Sequence, residues 1–350
     1  MLRQFPFNPD DATTGCVVDS NVIELINRFV RNEEKRGHSD YSNLLSVFEF
    51  LNLEDKQSCN KNGKVVWDLG LLERCFVRDI GVEDGRLRDY RESVAIFSAL
   101  SRSKFEKILQ NHIVPSRSFH VVEQVESELH HPKNIPGFLG YYAYALKILT
   151  MIWNKFETNI PDSYRSLKMC DELSQWIDND MKLLTPMPWV WAWHLFDGVG
   201  RHASRAEAFA KLRKKPFGDV DDVANRAWNI AWDFTYFRAR DMKTQFSNSS
   251  AENCSVISQD KDAMDIASSY SILALMIGGA QTGIGKLPVV EVDPSVGHRD
   301  EYERILGQLL SPERVDYRLE NSKGKEEVDF MVPLVRGLEE DLGCKTTFGL

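Results

Sequence analysis

Two aspartates follow short apolar runs. Asp19 ends TGCVV, and Asp260 comes just after CSVIS, in VISQDKD. A strand that stops at an aspartate delivers the carboxylate to the sheet's carboxyl edge, where parallel sheets bind ligands. Two such groups side by side repel each other. A hard divalent cation, Mg²⁺ or Mn²⁺, relieves the repulsion through oxygen ligation and keeps waters for chemistry. The competing reading is structural. Asp19 or Ser20 can cap one helix and Asp260 or Asp262 another, and a cap residue can also be a ligand.

Two more acids stand in unusual surroundings. Asp233 lies inside the helical stretch WNIAWDFTYFRARD, flanked by Trp232 and Phe234. Steps of three and four place Arg226, Asn229, Asp233, Tyr236 and Arg240 on one stripe beside the core stripe Val220, Val223, Ala227, Ile230, Ala231 and Phe234. The mixture of carboxylate, amide, phenol and guanidinium suits a site, and it equally suits a solvated polar face. Glu73, in DLGLLERCFV, is an acid in an apolar turn and wants a partner. An ion pair with Arg74 or Arg78 is the bland alternative. Glu49 and Glu92 compete for the same role, although neither directly follows a strand.

The elements that would carry these groups alternate at both ends of the chain. TGCVV reads as a strand. Val22, Ile23, Ile26 and Val30 then recur at helical spacing, and a further helix is expected near 41–53. Val65, Val66 and Trp67 form a second expected strand, leading directly into DLGLLERCFV. Residues 81–218 read as mostly helical, with helices expected over 93–110, 136–156, 162–182 and 203–215, and TPMPWVWAWHLF as a buried connector or short helix. A strong helix covers 219–240, a strand 254–258, a small-residue helix 263–279, and a strand KLPVVEV. The last fifty-odd residues alternate charged helix with a hairpin near Asn321–Lys325. This order predicts an α/β fold, a parallel sheet split by a helical insertion.

Composition narrows the classes. The 350 residues are 43% hydrophobic, 11% aromatic and 27% charged, ordinary for a globular chain and too apolar for a disordered one. Forty-three basic against 52 acidic residues give a net charge of -9, which argues against whole-surface binding to nucleic acid or anionic membrane. The opening MLRQFPFNPDDATTG has no apolar core of signal-peptide length, and the most apolar stretches fall short of a bilayer span of roughly 18–20 residues. The expectation is a soluble, cytoplasmic protein. Six cysteines without a CxxC pair predict free thiols, and no histidine spacing selects a zinc site. His194, in WAWHLF, reads as a packed core residue.

The succession of VVDSNVIEL, VVWDLGLLE, AWDFTYFRARD and VISQDKDAM resembles the PIN-domain nucleases. VVDSNVIEL is similar to that family's opening strand, and VISQDKDAM to its strand-Asp-Lys-Asp turn. The resemblance implies a PIN-like parallel-sheet core with helices on both faces, built from residues 14–80 and 219–291. Residues 81–218 would be a large helical insertion, and 292–350 a C-terminal extension of unassigned role. Carried over by position, Asp19, Glu73, Asp233 and Asp260 would be catalytic metal ligands for Mg²⁺ or Mn²⁺. Asp262 would be an auxiliary ligand, and Asn21 would orient a ligand or water. The reaction implied is metal-assisted hydrolysis of a phosphodiester in nucleic acid, RNA favoured over DNA, in a nuclease that serves as a toxin or defence effector. The insertion and the spacing from Asp19 to Glu73 are longer than in compact members of the family. They motivate a second reading, a degenerate PIN-like domain that binds nucleic acid or regulates without cutting. A third, a phosphatase of the haloacid dehalogenase type, wants an aspartate where Asn21 stands.

Clustered carboxylates repel a polyanion, so such a nuclease needs local basic contacts. Arg201, Arg205, Lys211, Arg213, Lys214 and Lys215 supply a cluster, and Arg238 and Arg240 follow one helix later. A solvated helix end explains the same charges. Asn229 joins the substrate-binding candidates. The aromatics of WVWAW are stacking candidates for bases, with core packing the more common use of such residues. The helical insertion is expected to shape substrate access or to contact a protein partner, with no membrane contact.

Overall fold

The structure is a computed structural model. It describes residues 3–5, 15–31, 44–45, 47–48, 65–111, 131–135, 137–155, 162–197, 203–212, 217–241, 254–258, 260–268, 271–277, 284–289, 299–322 and 327–350. Helix dominates, and a small sheet carries the candidate site. Strands β1 (Arg3–Phe5), β2 (Gly15–Val18), β3 (Val65–Val66) and β6 (Cys254–Ser258) form a four-stranded sheet in the order β1-β6-β2-β3. β2 runs parallel to both β3 and β6, with Val18 opposite Ile257, and β1 is antiparallel on the β6 edge. The fold is therefore mixed α/β, with three parallel strands in this sheet. Two small antiparallel pairs complete the strands: β4 (Phe76–Val77) with β5 (Gly81–Val82), and β7 (Ser271–Ile277) with β8 (Ile284–Val289).

The chain divides into two compact units. The first comprises Met1–His131 and Tyr236–Lys261, the second Pro132–Thr235 and Asp262–Leu350. In the first unit, helix α1 (Ser20–Arg31) starts directly at the end of β2. Its apolar residues Val22, Ile23, Ile26, Phe29 and Val30 are all buried, each such side chain contributing about 1.5–3 kcal/mol. Helix α2 (Asp68–Cys75) follows β3 after the single residue Trp67. Helices α3 (Asp84–Ala99) and α4 (Arg102–Asn111) bring Phe97 and Phe105 to Phe29 and Phe48. The Phe48 and Phe105 rings stack at 4.7 Å, and Phe29 meets Phe97 edge-on at 6.1 Å.

The second unit contains helices α5 (Phe138–Lys155), α6 (Asp162–Trp176), α7 (Pro186–Asp197) and α8 (Ala203–Phe209). Helix α9 (Val220–Asp241) supplies its residues up to Thr235 to this unit and those from Tyr236 to the first. Phe138 lies 4.8 Å from Trp228 and 4.5 Å from Trp232, ring centre to ring centre, and Trp191 touches both Phe209 and Phe234. Helices α10 (Lys261–Ser268), α11 (Arg299–Leu309), α12 (Pro312–Ser322) and α13 (Glu327–Leu342) complete the chain. The buried carboxylate of Glu339 on α13 accepts bonds from the Tyr142 hydroxyl at 2.8 Å and from Thr347 Oγ1 at 2.6 Å, tying down the C-terminal residues.

Several expectations are corrected. The helix expected over 263–279 ends at Ser268, and Ser271–Ile277 is strand. SILALMI is continuously apolar, and so short a run cannot tell buried helix from strand by period. The helix expected over 93–110 breaks at Leu100, whose backbone is extended, into α3 and α4. Asn321 and Ser322 close α12 and so are not hairpin residues; 323–326 lie outside the described residues. The Trp residues of WVWAW, Trp189, Trp191 and Trp193, are at most 2% exposed, so they pack the core and offer no face to a base. His194 is buried, as expected. Cys75, Cys170 and Cys344 are free thiols. Among the described residues, no helix is long and apolar enough to cross a membrane.

Candidate functional site

The parallel pairing of β2 with β6 brings Asp19 beside Ser258 at the carboxyl edge of the sheet. The backbone N–H of Asp19 extends the ladder by donating to Ile257 O at 3.1 Å. Asp19 is 3% exposed, and its backbone carbonyl accepts from Val22 N and Ile23 N as α1 begins. Its Oδ1 accepts from Asn21 N at 3.3 Å, so the helix-cap role is realised. Oδ2 accepts from Asn21 Nδ2 at 2.6 Å and from the Ser258 hydroxyl. Asp260, just before α10, donates its backbone N–H to Ser258 Oγ at 2.9 Å. Ser258 thereby links the two aspartate segments.

Helix α2 brings the third carboxylate. Gly70 permits this approach: a Cβ there would stand 2.6 Å from Val18 O and 2.9 Å from Ile23 Cγ1. One turn on, Glu73 accepts a bond from the Tyr236 hydroxyl. Burial is the main influence on both acids. Asp19 is raised above the usual carboxylate range by burial, with the Ser258 and Asn21 bonds opposing and the Asp260 charge adding. Glu73 is pushed from 4.5 up to about 7, by burial first and the Asp19 charge second, against bonds from Tyr236 and Ser20. Arg74 lowers both, and donates through Nε to Ser20 O at 3.1 Å.

Asp19, Glu73 and Asp260 thus lie within one electrostatic neighbourhood. Asp233 is half-buried on α9 in the second unit, and Asn229 on the same helix is exposed. Asp262, also in the second unit, pairs with Arg205 at 2.7 Å. Arg226, from the expected polar stripe, is buried, binding Asp222 at 2.7 Å and the carbonyl of Lys211 at 3.2 Å. Arg213, Lys214, Lys215, Arg201 and Glu49 lie outside the described residues, and the side chains of Arg238 and Arg240 do too. Glu92 stands 3.9 Å from Arg31 on a different part of the first unit.

The donor chemistry fits a hard dication: carboxylate oxygens whose mutual repulsion and burial a divalent charge would offset. Among the described residues, no group of three or more His, Cys, Asp or Glu converges at ligand distance. Ser258 and Asn21 bond Asp19, and Tyr236 bonds Glu73. Ser258 and Tyr236 are the members that the search for acids passed over. The signal for Ser258 was its register opposite the residue after Val18. Tyr236 stood on the polar stripe of α9. No protein-family model, curated protein or solved structure matches the chain.

Proposed function

We propose that this chain is a Mg²⁺- or Mn²⁺-dependent nuclease of PIN-like kind, hydrolysing phosphodiesters with RNA favoured over DNA. The observation that carries the reading is the geometry that joins Asp19 at the end of β2 to the Ser258–Asp260 turn and packs the helix of Glu73 against the end of β2, three acids from distant stretches of sequence. In this reading Asp19, Glu73 and Asp260, all of the first unit, hold the cation. A bound cation would supply Lewis-acid activation of the attacking water and offset the charge growing on phosphorus. Asn21 and Ser258 orient Asp19, and Tyr236 orients Glu73. Burial of Asp19 keeps bulk water from screening the site.

A second reading is binding without cleavage, in a regulatory subunit. The two Asn21 bonds and the Ser258 bond to Asp19 favour it, because a carboxylate occupied in capping α1 needs no further role. Incubation of labelled RNA and DNA with the full chain, in Mn²⁺ and in EDTA, separates the readings. Cleavage to 5′-phosphate products in Mn²⁺ alone, reduced about a hundredfold or more in Asp19→Asn, is the expected result. RNA bound but left intact would favour the regulatory subunit.

A further inference from the structure

Asp19 and Asp260 at the sheet edge, with Glu73 on α2, present any phosphodiester with repulsion, so a site of this kind needs a positive charge of its own. The arginines in the last turn of α1 and the first turn of α3 are already matched: Arg28 pairs with Glu24 at 2.8 Å, Arg31 with Asp89 at 2.7 Å, and Arg86 with Glu83 at 3.2 Å. Arg74 differs. Its charge bears on Asp19, Glu73 and Glu24 together. Yet its one hydrogen bond among the described residues runs from Nε to the backbone carbonyl of Ser20. The two Nη amines have no hydrogen-bond or ion-pair partner among those residues. Its side chain is only partly buried.

That arrangement is not the one expected of a structural counter-ion. An arginine that pairs with a carboxylate frequently closes a two-pronged contact on it. Here the Ser20 carbonyl holds the Nε side of the guanidinium and leaves the Nη fork without a partner among the described residues. The tether is short and rigid. Ser20 adjoins Asp19, Arg74 adjoins Glu73, and the tight passage at Gly70 holds α2 against the end of β2. An oxyanion with two oxygens matches the open fork in charge and in spacing.

We propose that Arg74 is a substrate-anchoring residue, its Nη fork holding the non-bridging oxygens of a nucleic-acid phosphate beside Asp19 and Glu73. The inference rests on the nuclease reading for its substrate class, and it is tested without relying on cleavage. Arg74→Ala, Arg74→Gln and Arg74→Lys are made in the full chain. Their affinity for a short fluorescein-labelled RNA is measured by anisotropy in EDTA, beside kcat and KM in Mn²⁺ and thermal unfolding. Arg74→Ala and Arg74→Gln should weaken RNA binding about tenfold, with Arg74→Lys restoring only part, because lysine keeps the charge and loses the fork. Should Arg74→Ala fail to fold, the Lys and Gln variants carry the comparison. Unchanged affinity in the folded variants, full restoration by lysine, or no RNA binding by the parent chain in EDTA would each overturn the assignment. A parent that binds RNA through Arg74 but never cuts it defeats the nuclease reading alone. Arg74→Ala and Arg74→Gln variants that cut RNA as well as the parent defeat this inference alone.

Discussion

Asp19 serves folding directly, and in the proposed function it serves chemistry as well. It caps α1 through Oδ1 and meets Ser258 and Asn21 through Oδ2. Ser258→Ala would leave a buried carboxylate short of a donor. The expected cost is about 1–3 kcal/mol of stability, read from urea unfolding. Glu73 makes a pH-dependent contribution. Its proton is held in the folded chain up to about 7 and released in the unfolded chain near 4.5. Within that window the folded state binds the extra proton, so this group's contribution to stability falls as pH rises and levels off above the window. Glu73→Gln should therefore stabilise the metal-free chain by about 1–3 kcal/mol above the window and change little below it. Thermal unfolding across pH checks this, and an unaltered slope in the variant would contradict it.

Elements position these groups through close approach. Gly70 lies in the middle of α2, where glycine costs helix stability of roughly 1 kcal/mol relative to alanine. The contact with Val18 O leaves no room for a Cβ. Gly70→Ala should lose about 1–3 kcal/mol despite its better helix propensity. Gly337, inside α13, has nothing within 4 Å of a built Cβ, and Gly337→Ala should gain about 0.5–1 kcal/mol. Calorimetric melting of the pair of variants measures both signs. Much of this layer was legible in the sequence. The strand ends at Asp19 and near Asp260, the strand-to-helix step into Glu73 and the apolar stripe of α1 all follow from local period and turn chemistry. Ser271–Ile277 was not, because its apolar run has no polar interruption to set a period. Nor was the bond from Tyr236 to Glu73, which depends on how two distant helices meet. Neither residue's local sequence carries that information.

At the scale of the whole molecule, the first unit is discontinuous. β6 comes from residues more than a hundred positions beyond the unit's first segment, Met1–His131, and it lies between β1 and β2 in the sheet. A fragment of residues 1–131 lacks that strand and leaves Asp19 without Ser258. It should show no cooperative unfolding by circular dichroism, and a cooperative transition would show that the unit does not need β6. With a net charge of -9, the proposed recognition of a polyanion would have to be local, and Arg74 is the residue proposed to supply that charge. The proposed function depends most on a hard dication held between Asp19, Glu73 and Asp260. Calorimetric titration of Mn²⁺ into the full chain tests it most directly. Binding by the parent that is lost in Asp19→Asn and in Asp260→Asn, both folded, is the predicted result. Equal Mn²⁺ binding in parent and variants, or none in the parent, would contradict it.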